Sequence, residues 1–156
     1  MTTHRYDAAV SWSGSTSSGY RGYARDHVGS AASGTTTVEL SADPAFRGDP
    51  ARLNPEQLLV LAAASCQLLS FLSLAAREGI DVVHYEDGAR GLMRDPRPDG
   101  SPMHVERIDL APRITVAPGA DVEEVLALVA RAHDTCYIAN SLVSDVVLSP
   151  AVTVRT

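Results

Sequence analysis

The side chains in this sequence with the means to do chemistry are two thiols, one well-placed carboxylate and a few arginines. Cys66 and Cys136 are the only cysteines among 156 residues. A thiolate is a nucleophile, and two thiols within reach of each other can carry a reversible disulfide. Taken alone, each cysteine reads most simply as a small buried hydrophobe. Two features favour chemistry: there are only two, and each falls on the apolar face of a helix-like stretch, so both can point into one core space. A cysteine in the middle of a helix gains little from the helix N-terminus, so a cation should stand near it. Arg25, Arg47 and Arg52, in the segments before the helix, are the available supply. An arginine held in an apolar pocket needs a carboxylate in turn, and Glu56 is the candidate. Glu56 lies ten residues before Cys66, about 15 Å along a helix axis. Either an extended arginine spans part of that gap, or the glutamate comes from a second copy of the chain.

Metal binding is the competing use of these residues. His133 and Cys136 have an i, i+3 spacing, and Cys66 and His84 could join them. No Cys-x-x-Cys is present, and five histidines are ordinary for this length, so no metal site is expected. His27, His84 and His104 are expected at the surface. Neither a phosphate-binding loop, a dinucleotide fingerprint nor a Gly-x-Ser-x-Gly elbow occurs.

The element that must position Cys66 runs from Leu53 to Gly79 and is the most apolar part of the chain. Its start is well written: Asn54 as N-cap, Pro55 at the first helical position and Gln57 three residues after the cap. Gly79 marks the stop. Residues 58–76 carry no charge, a length that approaches a membrane span. The stretch nevertheless contains Ser65, Cys66, Gln67, Ser70 and Ser73, with no aromatic belt and no basic flank. A soluble core helix covered on all sides is the expectation.

Before this helix, strands are expected at 4–12, 20–28 and 35–41, joined by turns at 13–19 and 29–34, as an antiparallel meander. A Pro/Gly/Asp-rich loop at 43–53 leads into the helix. After it, a strand over 80–94, a turn at 95–102 and one or two strands over 103–118 with a break near Pro112 are expected. A second helix runs from Val122 to about Thr135, with Val122, Val125, Leu126, Val129 and Ala132 as its apolar stripe and Cys136 continuing it. Residues 143–155 close with one or two strands. Strand runs punctuated by two helices favour α+β over a doubly wound sheet, in a single domain over 1–156.

Bulk composition excludes some partners. Hydrophobic content of 45%, charged content of 21% and a net charge of −6 suit a soluble globular protein. All 13 basic residues are arginines and lie scattered, so no nucleic-acid surface is expected. Residues 1–7 have no apolar run, so a cytoplasmic setting is the expectation. There, two cysteines are more often free or redox-active than a structural staple.

Asn54-Pro55-Glu56-Gln57-Leu58-Leu59 followed by Ala64-Ser65-Cys66 resembles the OsmC/Ohr family of organic hydroperoxide reductases. The stretch from Ala132 through Cys136 to Leu142 is similar to that family's second cysteine segment. Residues 43–49 and 23–27 resemble its OsmC-like branch. The sequence departs from the family at Gln67, where an aromatic or histidine is usual, and at Tyr137-Ile138-Ala139, where Pro-Val-Ser is frequent. The resemblance implies an intertwined α+β homodimer, with antiparallel sheets wrapped around long central helices and the site at the dimer interface. It implies Cys66 as peroxidatic thiol, Cys136 as resolving thiol, Glu56 as carboxylate and an arginine as activator, Arg47 first and Arg25 second. The implied substrate is an organic hydroperoxide, an apolar pocket favouring alkyl over hydrogen peroxide. The implied reductant is a dithiol such as a lipoylated protein, and no metal, haem or flavin is required. The alternative is a catalytically divergent protein of the same fold that binds an apolar small molecule at the dimer interface.

Overall fold

The computed structural model describes residues 2–17, 19–31, 36–94 and 99–156. Residues 18, 32–35 and 95–98 of the expected turns, and the start of the expected third strand, lie outside the described residues. Residues 1–58 and 59–156 form two compact units.

In the first unit, β1 (Ala8–Ser11), β2 (His27–Ala31) and β3 (Thr37–Leu40) form an antiparallel sheet in that order. The meander is as expected, but its second strand starts at His27 instead of residue 20. The amides of Gly19 and Gly22 donate to the carbonyls of Thr16 and Gly19 (2.9 and 3.0 Å), and Gly19 has a positive φ of 69°. Two successive turns therefore occupy the segment, and Tyr20 and Tyr23 fold onto Arg25 instead of extending. The loop after β3 is anchored by buried Ser41, whose hydroxyl donates to Asp26 Oδ1 (2.9 Å) and accepts from the Asp49 amide (3.0 Å). A Cβ at Gly48 would lie 1.7 Å from the Ala42 carbonyl oxygen, so only glycine permits this loop.

Helix α1 runs over Pro55–Glu78. Its expected capping box is present: Asn54 Oδ1 accepts from the Gln57 amide at 2.8 Å, and Gln57 Oε1 accepts from the Asn54 amide at 3.0 Å. It stops at Gly79, with φ 74°, where Ile80 N–H reaches the Ala75 carbonyl at 2.9 Å and Gly79 N–H the Ala76 carbonyl at 3.4 Å. This is a Schellman ending, and it explains why glycine stands there.

The second unit holds helix α2 (Val122–Asp134) and two three-stranded sheets. One has the order β4 (Val82–Asp87), β7 (Pro112–Val116), β9 (Ala151–Val154). The other has the order β5 (Arg90–Leu92), β6 (Arg107–Leu110), β8 (Asp145–Leu148). The expected strand over 80–94 breaks between Asp87 and Arg90, and its halves enter different sheets. The stretch 103–118 likewise divides at Ala111, whose amide donates to Asp87 Oδ1 at 2.9 Å. The sheets are mixed: β8 runs parallel to β6 and β9 parallel to β7, because α2 carries the chain back before these last strands.

Val125, Leu128, Val129 and Ala132 of α2 are fully buried with Phe71, Ala75, Ile114 and Val116. Leu128 replaces the expected Leu126, giving the i, i+3, i+4, i+7 stripe of a packed helix. Ala63 of α1 belongs to a second cluster with Val105, Ile108 and Leu110, against which Ala64, Ile138 and Leu142 pack. The buried stripe of α1 is narrow: Ala63, Gln67, Phe71 and Ala75. Leu61 is 55% exposed and Leu69 64% exposed, so within one chain α1 is not covered on all sides. By length and apolar composition alone α1 could cross a membrane, yet its buried stripe packs on both core clusters.

Candidate functional site

Cys66 stands at the middle of α1, and Cys136 lies two residues beyond the end of α2. Both are free thiols, Cys66 half-buried and Cys136 buried. The chain brings them together through a pinned turn. Thr135 closes α2 by donating its hydroxyl to the Arg131 and Ala132 carbonyls (3.2 and 3.3 Å). The Asn140 side-chain amide then donates to the carbonyls of Asp134 and Cys136, both at 3.0 Å. Ser141 Oγ donates to the Tyr137 carbonyl at 2.7 Å. Ile138 and Leu142 anchor the turn in the cluster that holds Ala63 and Ala64, one turn before Cys66. The Cys136 thiol, the Ser70 hydroxyl and the backbone of Tyr137 and Ile138 are the groups that act on the Cys66 thiol.

These neighbours separate the two thiols chemically. Burial pushes Cys66 up, but the hydrogen bonds from Cys136, the Ile138 backbone, Ser70 and the Tyr137 backbone outweigh it, and its net displacement is downward. Burial and the adjoining Cys66 push Cys136 up to about 11. The arrangement suits a thiolate at Cys66 and a protonated thiol at Cys136. The sequence demanded a cation for this task; the groups acting on Cys66 here are uncharged donors. Ser70 and the amides of residues 137 and 138 were missed in the sequence. The i, i+4 spacing from Cys66 to Ser70 was the available signal.

Glu56, in the first turn of α1, lines a pocket of about 200 Å³ with Arg25, His27, Ser41, Asp43 and Phe46. Its Oε2 is buried without a hydrogen-bond partner. Arg25 stacks on the Tyr23 and Tyr20 rings, 3.9 and 4.8 Å from their centroids, and donates to the carbonyls of Tyr20 and Tyr23. His27, expected at the surface, is half-buried in this wall, its Nδ1 2.8 Å from the Arg25 carbonyl. A second, apolar pocket of about 290 Å³ shares Arg25 and His27 and adds Val10, Trp12 and Tyr23. Arg47 lines neither pocket. It ends a short 3-10 turn (Pro44–Phe46) in a left-handed conformation, φ 69°, and its Nη2 approaches the Arg21 carbonyl at 3.5 Å. Arg52 is engaged with Glu39 at 3.1 Å, Asp49 at 3.5 Å and Asp26 at 3.7 Å. His133 and Cys136 join no group of three or more metal-ligating side chains among the described residues.

A family model for OsmC-like proteins matches residues 48–150, a span that contains Glu56, Cys66 and Cys136. The chain belongs to the OsmC family. An OsmC-like protein of unknown function from Vibrio cholerae has the same fold, with a TM-score of 0.84 at 27% identity, covering 96% of this chain and 100% of its own. An organic hydroperoxide resistance protein OsmC from Legionella pneumophila aligns over 98% of this chain and 99% of its own, at TM-score 0.68 and 18% identity. The organic hydroperoxide resistance protein OhrB of Bacillus subtilis aligns over 96% and 98%, at TM-score 0.62 and 16% identity. No curated protein matches the sequence. The last two likenesses concern the fold alone, and the α+β architecture expected from the sequence is the fold of this family.

Proposed function

We propose that this OsmC-family protein is a thiol peroxidase that reduces organic hydroperoxides through Cys66 and Cys136. The observation that carries this reading is the contact between two free thiols displaced in opposite directions. The Cys66 thiolate attacks one peroxide oxygen and the O–O bond breaks. The alkoxide leaves and takes up a proton as the alcohol, and Cys66 becomes a sulfenic acid. The Cys136 sulfur then attacks the Cys66 sulfur. Hydroxide leaves with the Cys136 proton as water, and a disulfide forms. An external dithiol returns both thiols by two exchanges, itself becoming a disulfide. Oxidation of the dithiol thus balances reduction of the peroxide, with no metal or organic cofactor in the cycle.

Glu56 serves in this reading as the carboxylate and Arg25 as the activating arginine. Arg25 takes the place first given to Arg47 because it shares a pocket with Glu56 and Arg47 does not. The working species is a cytoplasmic homodimer, a reading supported by the apolar side chains that α1 leaves exposed, Leu61, Leu69 and Leu72. The test is consumption of cumene hydroperoxide with dihydrolipoamide as reductant. Turnover should be absent in Cys66→Ser and much slower with hydrogen peroxide; equal turnover by wild type and Cys66→Ser would end this reading.

One observation favours a second reading, a binding protein without turnover: the apolar pocket walled by Val10, Trp12 and Tyr23. That reading gains if an apolar molecule co-purifies while Cys66 stays inert to hydroperoxide.

A further inference from the structure

We infer that Gln67 is a positioning residue: its side-chain amide ties the helix that bears Cys66 to the helix that leads to Cys136, and so sets how readily the two cysteines join. This role rests on the peroxidase reading for its use, since it governs the second, disulfide-forming step of that reaction.

Gln67 follows Cys66 directly on α1. It is fully buried, and it is the one polar member of the stripe Ala63, Gln67, Phe71 and Ala75. Its Nε2 donates to the Val129 carbonyl of α2 at 3.1 Å. That carbonyl has no need of a second donor, because inside α2 it faces the amide of His133, one turn on. The Gln67 Oε1, meanwhile, is buried without a partner. An unpaired amide oxygen costs stability, and an apolar side chain of the same length would leave nothing unpaired. Core stability therefore does not explain a glutamine here. A fixed placement of α1 against α2 does, since a directed hydrogen bond selects one arrangement where apolar contacts accept several.

The bond is one of two tie points that bracket the cysteines. On its far side, Phe71 is buried together with Val125 and Val129. The second tie point is the packing of Ile138 and Leu142 in the cluster that holds Ala63 and Ala64. Along α1, Cys66 stands between Ala63 and Gln67. Along the other segment, Cys136 stands between Val129 and Ile138. The turn between is short and internally pinned, with Asn140 donating to the carbonyls of Asp134 and Cys136 at 3.0 Å. A shift of α2 along or away from α1 at Val129 is therefore passed to Cys136. Two groups held in place react as if at very high concentration, and slack in either support lowers that advantage.

The test is the equilibrium of the full chain with glutathione. Protein dithiol and glutathione disulfide give the Cys66–Cys136 disulfide and two glutathione thiols. Samples equilibrated over a range of ratios are quenched in acid, alkylated and read by peptide mass spectrometry. Gln67→Met keeps the length of the side chain and removes the donor. Its equilibrium constant should fall about three- to tenfold below wild type. Asn54→Ala, which removes the cap of α1 and lowers stability away from the cysteines, should keep the wild-type constant. Equal constants for Gln67→Met and wild type overturn the inference. So does a fall no larger than that in Asn54→Ala, because the loss would then follow stability and not position. If Gln67→Met does not fold, Gln67→Leu takes its place under the same readings. No hydroperoxide enters this experiment. A lowered constant in a protein that consumes no hydroperoxide counts against the peroxidase reading only, and hydroperoxide turnover with an unchanged constant counts against the role of Gln67 only.

Discussion

Around Cys66, in residues 59–156, the groups that act on the sulfur are uncharged: the Cys136 thiol, the Ser70 hydroxyl and the backbone of Tyr137 and Ile138, and the atoms buried without a partner nearby, Gln67 Oε1 and His133 Nδ1, are not carboxylate oxygens. Around Glu56, in residues 1–58, one carboxylate oxygen is buried with no partner, while Arg25 in the same pocket gives its donors to the Tyr20 and Tyr23 carbonyls. A buried carboxylate oxygen left unsatisfied costs more than a neutral group in the same position, so its presence in the Glu56 pocket calls for a reason. The difference teaches a division of labour. On the proposed peroxidase reading, uncharged neighbours act on the Cys66 thiol first, and Glu56 and Arg25 come into play with the group that arrives for the reaction.

Substitutions can break that division, and the largest effect falls on the thiols. Cys66→Ser should abolish hydroperoxide-driven thiol loss, whereas Cys136→Ser should halt at a sulfenic acid on Cys66 that dimedone traps. Next comes the pocket. Glu56→Gln should lower hydroperoxide turnover about a hundredfold while leaving the pH profile of Cys66 alkylation by iodoacetamide in place; Arg47→Ala should change turnover by about twofold or less. If Glu56→Gln moves the alkylation profile as well, the two regions are not separate. A smaller effect is structural. Asn54→Ala removes the cap that sets the first turn of α1 and should cost about 1 kcal/mol in denaturant unfolding.

The smallest effect is on stability against pH. The folded pKa of Cys66 lies below its ordinary value of 9.0 and that of Cys136 lies above it at about 11. The unfolded chain therefore binds more protons just below pH 9, and the folded chain more between 9 and 11. The pair contributes stability that rises toward pH 9 and declines from there to about 11. Melting curves of Cys136→Ala, set against wild type across pH 9 to 11, should lack the decline.

Much of this was legible in the sequence. Asn54, Pro55, Gln57 and Gly79 fix α1 by local hydrogen bonds and backbone preference, and local rules read them well. The sequence put both thiols on apolar helix faces; Cys66 is on α1, but Cys136 stands in the turn beyond α2, whose path local rules do not give. The break at Ala111 was legible from Pro112, whereas the break at Gly88 was not, because that run carries no mark of which sheet each half joins. The start of β2 was misjudged because turn hydrogen bonds at Thr16, Gly19 and Gly22 outweigh the strand tendency of Tyr20 and Tyr23. The donors at Tyr137 and Ile138 left no trace in side-chain chemistry, since backbone amides have no sequence signature. The proposed preference for Arg25 over Arg47 draws on the pocket that Arg25 shares with Glu56, which spacing along the chain does not encode.

The most direct measurement is a count of free thiols, with peptide mapping, after one equivalent of cumene hydroperoxide is added to the fully reduced protein. Both thiols should disappear together, and Cys66 should be found joined to Cys136 in one peptide pair. Two thiols still free, or a stable Cys66 sulfenic acid beside a free Cys136, would contradict a Cys66–Cys136 redox pair.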